Sequence, residues 1–345
     1  MKGSVIALGH IGGAEVAARI IDGVLDDLLV SPPDGVAPAP GTIFRAITER
    51  PMKGQGGIML RLPDGARAYL RGAKGLAEGV PLLVQVTSTA EPGKAAPVTT
   101  RILFKSRYAI VTPDAPGLNI SRAIRDDEER LRLHDIAAGL MEGAGAGLIL
   151  RSICEGADDD DIAADITAMR DLAAAVMGDV AGGPECLVAA PDAHELAWRD
   201  WGTPDTLADG PRALDDYGVL DAIDTLRQPR LDLPGGGYAF IEPTRALVAV
   251  DVNTGGDTSL AAGLKANIAL ARALPRALRC RGLGGQISLD LAPMANKERS
   301  QFEQVLRAAL RADGIETVLA GWTPLGHFEL QRKRERLPLS ASLPP

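Results

Sequence analysis

The chain has 345 residues, 46% of them hydrophobic and 24% charged, with a formal net charge of −8. That length exceeds what one core usually supports, so two or three domains are expected, and the composition excludes a disordered or fibrous chain. The acidic balance excludes a generally basic, nucleic-acid-coating protein, because phosphate affinity comes largely from Lys and Arg; any nucleic-acid site must be local.

At the N-terminus, Ser4 to Leu8 reads as a short strand and Glu15 to Leu29 as either a helix or a strand-rich meander. His10 and Glu15 interrupt the first apolar stretch, so it makes no signal-peptide core, and no run of about 18 apolar residues suggests a membrane span. A cytoplasmic location without membrane contact is expected. Ser31-Pro32-Pro33-Asp34-Gly35 carries turn chemistry and marks a boundary. From about 41 to 100, short runs follow one another between Gly- and Pro-bearing turns: Ile43 to Ala46, Gly57 to Leu62, Ala68 to Leu70 and Leu82 to Val86. This spacing predicts a small antiparallel β-barrel. Aromatics make up only 3% of the chain, which leaves few rings on which unpaired bases could stack.

From Tyr108 to Val180 the pattern turns mixed. It predicts a strand at Ala109-Ile110-Val111, a helix over Asp126 to Leu140, a strand over Gly147 to Arg151 and a helix over Asp161 to Met177. The acidic run Asp158 to Asp161 suits a solvated helix start, where carboxylates meet the positive end of the dipole, although a metal site is the alternative. Residues 183 to 230 are punctuated by Asp, Pro and Gly and define no elements. Cys154, Cys186 and Cys280 are widely spaced with no Cys-x-x-Cys pair, which fits buried thiols better than a disulfide framework or a zinc site.

The last third carries the chemistry. Leu247 to Val250 is an apolar run ending in Asp251-Val252-Asn253, and Gln286 to Leu289 is another ending in Asp290. Between them Leu260 to Arg281 has a helical pattern, which Pro275 is expected to kink or divide. Strand, helix, strand in this order implies parallel neighbours joined by a crossover. Asp251 and Asp290 then emerge at the C-terminal sheet edge, where ligands bind in open α/β sheets. A close carboxylate pair needs a cation or a proton, and magnesium suits hard oxygen ligands; the alternative is that one Asp caps a helix and the other binds a turn. Lys265, Arg272, Arg276, Arg279 and Arg281 form a basic flank free of acids between 265 and 281. Arg272, Arg276 and Arg279 share a helical face, and Arg332, Lys333, Arg334 and Arg336 add a second cluster. Beside a carboxylate pair these read as a phosphate track, and by themselves as solvated faces.

In this region the chain resembles the catalytic part of the ribonuclease E/G family. The likeness runs through Pro234-Gly235-Gly236-Gly237, Ala246 to Asn253, Asn267, Arg281 to Gly285, Leu289-Asp290 and Gly326 to Arg334. It implies a magnesium-dependent endoribonuclease acting on single-stranded RNA in processing or decay, with Asp251 and Asp290 as metal ligands and Asn253 assisting. His134 and His327 are then acid–base candidates, with no more formal title than His10 and His194. Weaker likeness elsewhere implies an α/β multidomain fold: an RNase H-like base (1–36 and 183–230), an OB-type RNA-binding barrel (37–103), a 5′-phosphate-sensing unit (104–182) and a DNase I-like catalytic region (231–345). In the barrel the likeness points to Lys94, within Gly93 to Thr100, and leaves Tyr69 as the stacking candidate, because Met59 stands where relatives carry an aromatic. It assigns Ile120-Ser121-Arg122 with Arg151-Ser152 to a pocket for a 5′-monophosphate.

The departures are a shortened loop, with Thr254 leading straight into Gly255-Gly256-Asp257, and Pro293 where a further Asp is common. They keep two rivals open: an RNA-binding protein that has lost turnover, and a phosphoesterase acting on a small nucleotide. Longer members share a zinc ion between two chains through a Cys-Pro-x-Cys segment. No such segment occurs here, so no zinc, no zinc-linked assembly, and either a monomer or a homodimer through another surface are expected.

Overall fold

The computed structural model describes residues 2–33, 38–52, 56–73, 75–91 and 93–344. The boundary expected at Asp34-Gly35, and the 36/37 domain limit, lie outside the described residues. Two compact units form, one from residues 1–34 with 204–345 and the other from residues 35–203. Residues 183–203, expected to continue the N-terminal base, group instead with the second unit.

In the first unit the N-terminal ambiguity resolves as a meander of three strands, Ser4–Ile11, Ala14–Ile21 and Val24–Val30. Its second turn is Asp22-Gly23, with φ of 50° and 80°, between paired Ile21 and Val24. Both turn residues are left-handed, as a two-residue hairpin matched to strand twist requires. Thr206–Ala208 adds a parallel edge strand to this sheet. A second sheet of six strands runs in the order Arg230–Asp232, Tyr238–Pro243, Val248–Asn253, Gly285–Asp290, Phe328–Arg332, Thr317–Trp322. Helices Ala262–Arg281 and Arg299–Asp313 cover it, burying Leu270, Leu274, Leu278, Phe302 and Leu306 against Val250, Ile287, Leu289 and Phe328. Pro275 does not divide its helix, one of the two outcomes expected of it. Its ring is buried among these apolar residues, and that packing outweighs the backbone hydrogen bond the proline cannot donate.

In the second unit, five strands close into a barrel: Ile43–Met52, Gly57–Arg61, Arg67–Arg71, Pro81–Val86 and Ala96–Thr99. The first strand pairs with the fourth to complete the ring. Alternate residues such as Ile58, Leu60, Ala68, Leu70, Val84 and Val98 fill its interior. Glu185–Val188, in the stretch that the sequence left blank, adds to the outside of the first strand. A separate four-stranded sheet packs helices Asp127–Met141 and Asp159–Gly178 around Leu133, Leu148, Ile162 and Ile166. The side chain of Asp158 caps the second helix by accepting from the backbone amides of Asp160 and Asp161. That end of the acidic run therefore works as a helix start.

The first unit is also tied together by buried ions. Asp313, its side chain 1% exposed, accepts from Arg332 at 2.6 Å and from Arg279. Arg279 reaches Asp27 at 3.1 Å, and Asp27 pairs with Arg336. Burial pushes the Arg332 guanidinium down to about 10, still far above neutrality, so the group is charged and depends on Asp313. Removing one member of a buried pair strands the others in a low dielectric. Asp313→Ala is expected to cost about 3–5 kcal/mol of unfolding free energy, measured by urea denaturation. A loss under 1 kcal/mol would mean that water reaches this network.

Candidate active site

The site is built by the crossover Val248–Asn253, Ala262–Arg281, Gly285–Asp290. The two strands are parallel, and their register runs Val248 to Ile287, Val250 to Leu289 and Asp251 to Asp290. Alternation buries Val248, Val250 and Val252 on one face and turns Asp251 outward. The same parity buries Ile287 and Leu289 and exposes Asp290. Two exposed carboxylates thus stand opposite one another on neighbouring strands. Among the described residues neither is paired with a lysine or arginine. Asn253 Nδ2 donates to Asp251 Oδ2 at 2.9 Å. His327, leading into strand Phe328–Arg332, brings Nε2 to 3.9 Å from Asp290 Oδ1. Among the four histidines, which the sequence could not rank, position singles out His327.

The backbone around these residues is held by contacts that spacing alone does not reveal. Asn267, fully buried in the crossover helix, donates through Nδ2 to the Ala292 carbonyl at 2.8 Å and accepts from the Ala292 amide at 3.0 Å. Both backbone groups of the second residue past Asp290 are therefore satisfied by one side chain. One turn earlier, Gly263 packs so closely that a Cβ there would lie 1.8 Å from the Pro293 carbonyl oxygen. On the other strand the shortened loop turns at Gly255, with φ of +64°, and a Cβ would lie 2.1 Å from the Gly236 carbonyl oxygen. The loop after Asn253 thus rests on the Gly235-Gly236-Gly237 turn. The resemblance had quoted Asn267 and Gly236 without giving them a task.

The basic flank does not form the expected track. Arg272 is exposed, but Arg276 donates to the Leu25 carbonyl, and Arg279 is enclosed by Asp26, Asp27 and Asp313. Arg332 is buried, Arg334 lies across Gly285, and Arg336 pairs with Asp27. The helical face predicted from spacing is real, yet it is packed on the N-terminal meander. Of the acids that neutralise it, Asp26 and Asp27 lie some 250 residues away and Asp313 on another helix, where no local pattern could reveal them.

The profile of the ribonuclease E/G family matches residues 104–208 and 206–335, which include every residue of this site. The chain belongs to the ribonuclease E/G family. It is 30% identical to ribonuclease E of Nostoc sp. over 295 residues, 74% of this chain and 43% of that protein. It is 29% identical to ribonuclease G of Salmonella typhimurium over 297 residues, 75% of this chain and 60% of that protein. Ribonuclease E of Synechocystis sp. is 30% identical over 295 residues, again covering 44% of its own length. The chain therefore spans about half the length of the curated relatives it matches.

The other residues singled out by the resemblance lie in the second unit. Tyr69 pairs with Met59 across two barrel strands, and its ring covers Gly57, so it is partly enclosed. Lys94 is exposed and pairs with Glu91. Arg122 and Ser152 are exposed. Arg151 is already engaged, donating to three carbonyls and to Asp200. Cys154 and Cys280 are buried, which pushes each thiol up to about 11, whereas Cys186, expected to be buried with them, is exposed on the edge strand Glu185–Val188.

The close loop packing leads to a paired test. Gly255→Ala, placing a methyl on a backbone oxygen at positive φ, is expected to destabilise by about 1–3 kcal/mol and to depress any activity of this edge. Gly256→Ala, whose Cβ meets nothing within 4 Å, is expected to leave both unchanged. Thermal melts of the two variants check this; equal melting points would show that the loop does not depend on this contact.

Proposed function

We propose that the protein is an endoribonuclease that hydrolyses phosphodiester bonds in single-stranded RNA, in RNA processing or decay, with magnesium held by Asp251 and Asp290. The observation that carries this reading is the register pairing of two exposed, cation-free carboxylates at the C-terminal edge of a parallel strand pair. Relatives named ribonuclease E and ribonuclease G support the activity.

The donor set fits the ion. Among the described residues no three His, Cys, Asp or Glu side chains converge as a ready metal cage, and magnesium characteristically takes one or two carboxylates, several waters and substrate phosphate. When bound, it supplies polarisation of the scissile phosphate and charge stabilisation in the transition state. Asp251 and Asp290 supply the negative charge that attracts it. Asn253 fixes one oxygen of Asp251, so that the carboxylate meets the ion already oriented. His327 presents Nε2 beside Asp290, where it can hand a proton to or from the reacting phosphate. Asn267 and Gly263 keep the exit of the Asp290 strand from sliding.

The unit that carries this edge fits a DNase I-like catalytic region (231–345) built on an RNase H-like base. The closed barrel fits an OB-type RNA-binding role, with Tyr69 and Lys94 as contacts. Arg151, with Ser152 next in sequence and Arg122 just past the strand that pairs with its own, is the residue we assign to a terminal 5′-phosphate, which a guanidinium recognises by charge-assisted bonds. Of the basic flank, Arg272 keeps an open side for the RNA backbone.

Asp251→Asn and Asp290→Asn are each expected to lower internal cleavage of labelled single-stranded RNA by at least about 100-fold, with melting temperature and RNA affinity largely retained. EDTA is expected to reproduce the loss, and magnesium to reverse it. Near wild-type cleavage by either variant would falsify the metal assignment, and binding of RNA without cleavage by the wild type would favour a protein that has lost turnover.

A further inference from the structure

The face of the six-stranded sheet that bears Asp251, Asn253 and Asp290 also carries two aromatic rings. Along strand Tyr238–Pro243, alternation sends Ala239 and Ile241 into the core and turns Tyr238 and Phe240 to the opposite face. Phe240 lies directly opposite Asp251, and Tyr238 opposite Asn253. One strand further out, Arg230 lies opposite Phe240 and Asp232 opposite Tyr238. Residues opposite one another share a face. Arg230, Phe240, Asp251 and Asp290 therefore form one row across four strands, in steps of about 5 Å.

Packing does not account for these rings. Of the five phenylalanines, Phe44, Phe104, Phe302 and Phe328 are buried, and Phe240 is the one that is not. Aromatics stabilise a sheet when they lie across from other aromatic or β-branched side chains. Here the residues across are Asp251, Asn253, Arg230 and Asp232, all of them polar. The two rings meet one another instead, edge to face, with centroids 5.7 Å apart and planes at 80°. The Arg230 guanidinium lies 4.0 Å from the Tyr238 centroid and is itself held by Asp232 at 2.9 Å. Tyr238 is thus committed to Arg230 and Phe240, and Phe240 is the ring that borders the carboxylates.

An unpaired nucleotide joins a charged phosphate to a flat base. With the phosphate at an ion between Asp251 and Asp290, the next strand offers that base an aromatic surface. Base–ring stacking tolerates any base, and such preference as it shows follows stacking strength. The larger purines gain most.

We propose that Phe240 is the platform on which the base flanking the scissile phosphate stacks, with Tyr238, braced by Arg230, at its edge, and that this platform favours cleavage beside a purine. The proposal rests on Asp251 and Asp290 being the cleavage site, and adds a specificity-determining residue to it.

The test uses uridine oligoribonucleotides with one interior adenosine, cut by the intact protein in magnesium, with the cut positions mapped on a gel. The wild type is expected to favour the bond flanking the adenosine roughly tenfold over bonds between uridines. Phe240→Leu, which stays apolar and removes the ring, is expected to level that preference, and Phe240→Trp to raise it above wild type. A second measurement is independent of turnover. With 2-aminopurine in place of the adenosine and calcium in place of magnesium, stacking on a ring quenches the base's fluorescence. At saturating protein, checked by anisotropy of a terminal dye, the quench is expected in wild type and Phe240→Trp and lost in Phe240→Leu. Should Phe240→Leu melt well below wild type, Phe240→Trp decides, and cleavage preference and quench both equal to wild type would count against the platform. Cleavage whose preference and quench persist in Phe240→Leu would overturn the platform and leave the endoribonuclease standing. Absence of cleavage by the wild type, with a quench that requires Phe240, would sink the cleavage site and retain the platform. Absence of both cleavage and a Phe240-dependent quench would overturn the two together.

Discussion

The parallel pairing of Val248–Asn253 with Gly285–Asp290 is the constraint from which the active-site edge follows. A parallel pair cannot be closed by a hairpin, so the chain must cross over, and the crossover is the helix Ala262–Arg281. Once that helix is present, its buried face both fills the core and reaches the chain beyond Asp290. Asn267 saturates the backbone of Ala292, and Gly263 admits the Pro293 carbonyl at a distance that no side chain would allow. The register that sets Asp251 opposite Asp290 is thus maintained from behind by the element that creates it. Two like charges are brought together on a frame whose own packing absorbs their repulsion.

The buried ionic network meets a different demand. Arg279 and Arg332 both lean on Asp313, while Arg279 and Arg336 share Asp27 on the N-terminal meander. Each ion would be costly to bury by itself, and together they compensate one another. The geometry joins residues from the two ends of the chain, so the meander and the six-stranded sheet belong to one unit although some 200 residues of other structure intervene. This also explains why a run of arginines beside a carboxylate pair does not become a phosphate track. Desolvated guanidiniums take the acids available inside the unit, and only Arg272 keeps its open side.

In the second unit the same chemistry is arranged with a surplus. Asp200 gathers Lys105, Arg151 and Arg199, whereas Asp313 balances a matched set.

Much of this molecule was legible in its residues, through signals that are local. Period-2 runs between Gly and Pro turns announced the barrel strands, and two apolar runs each ending in Asp announced the parallel pair, because alternation and strand-end position are properties of a few consecutive residues. Asp251 and Asp290 became site candidates that way. What local pattern left undecided follows from packing between distant segments: the N-terminal meander over a helix, the continuous helix through Pro275, the strand Glu185–Val188 on the barrel, and the placement of His327 beside Asp290. The destination of the arginines belongs to the same class. Helical spacing placed Arg272, Arg276 and Arg279 on one face, but whether that face meets water or Asp26, Asp27 and Asp313 depends on which strands are brought beside it. A side chain's charge and period are written in its own neighbourhood, whereas its partner and its desolvation are set only when segments hundreds of residues apart are folded into contact.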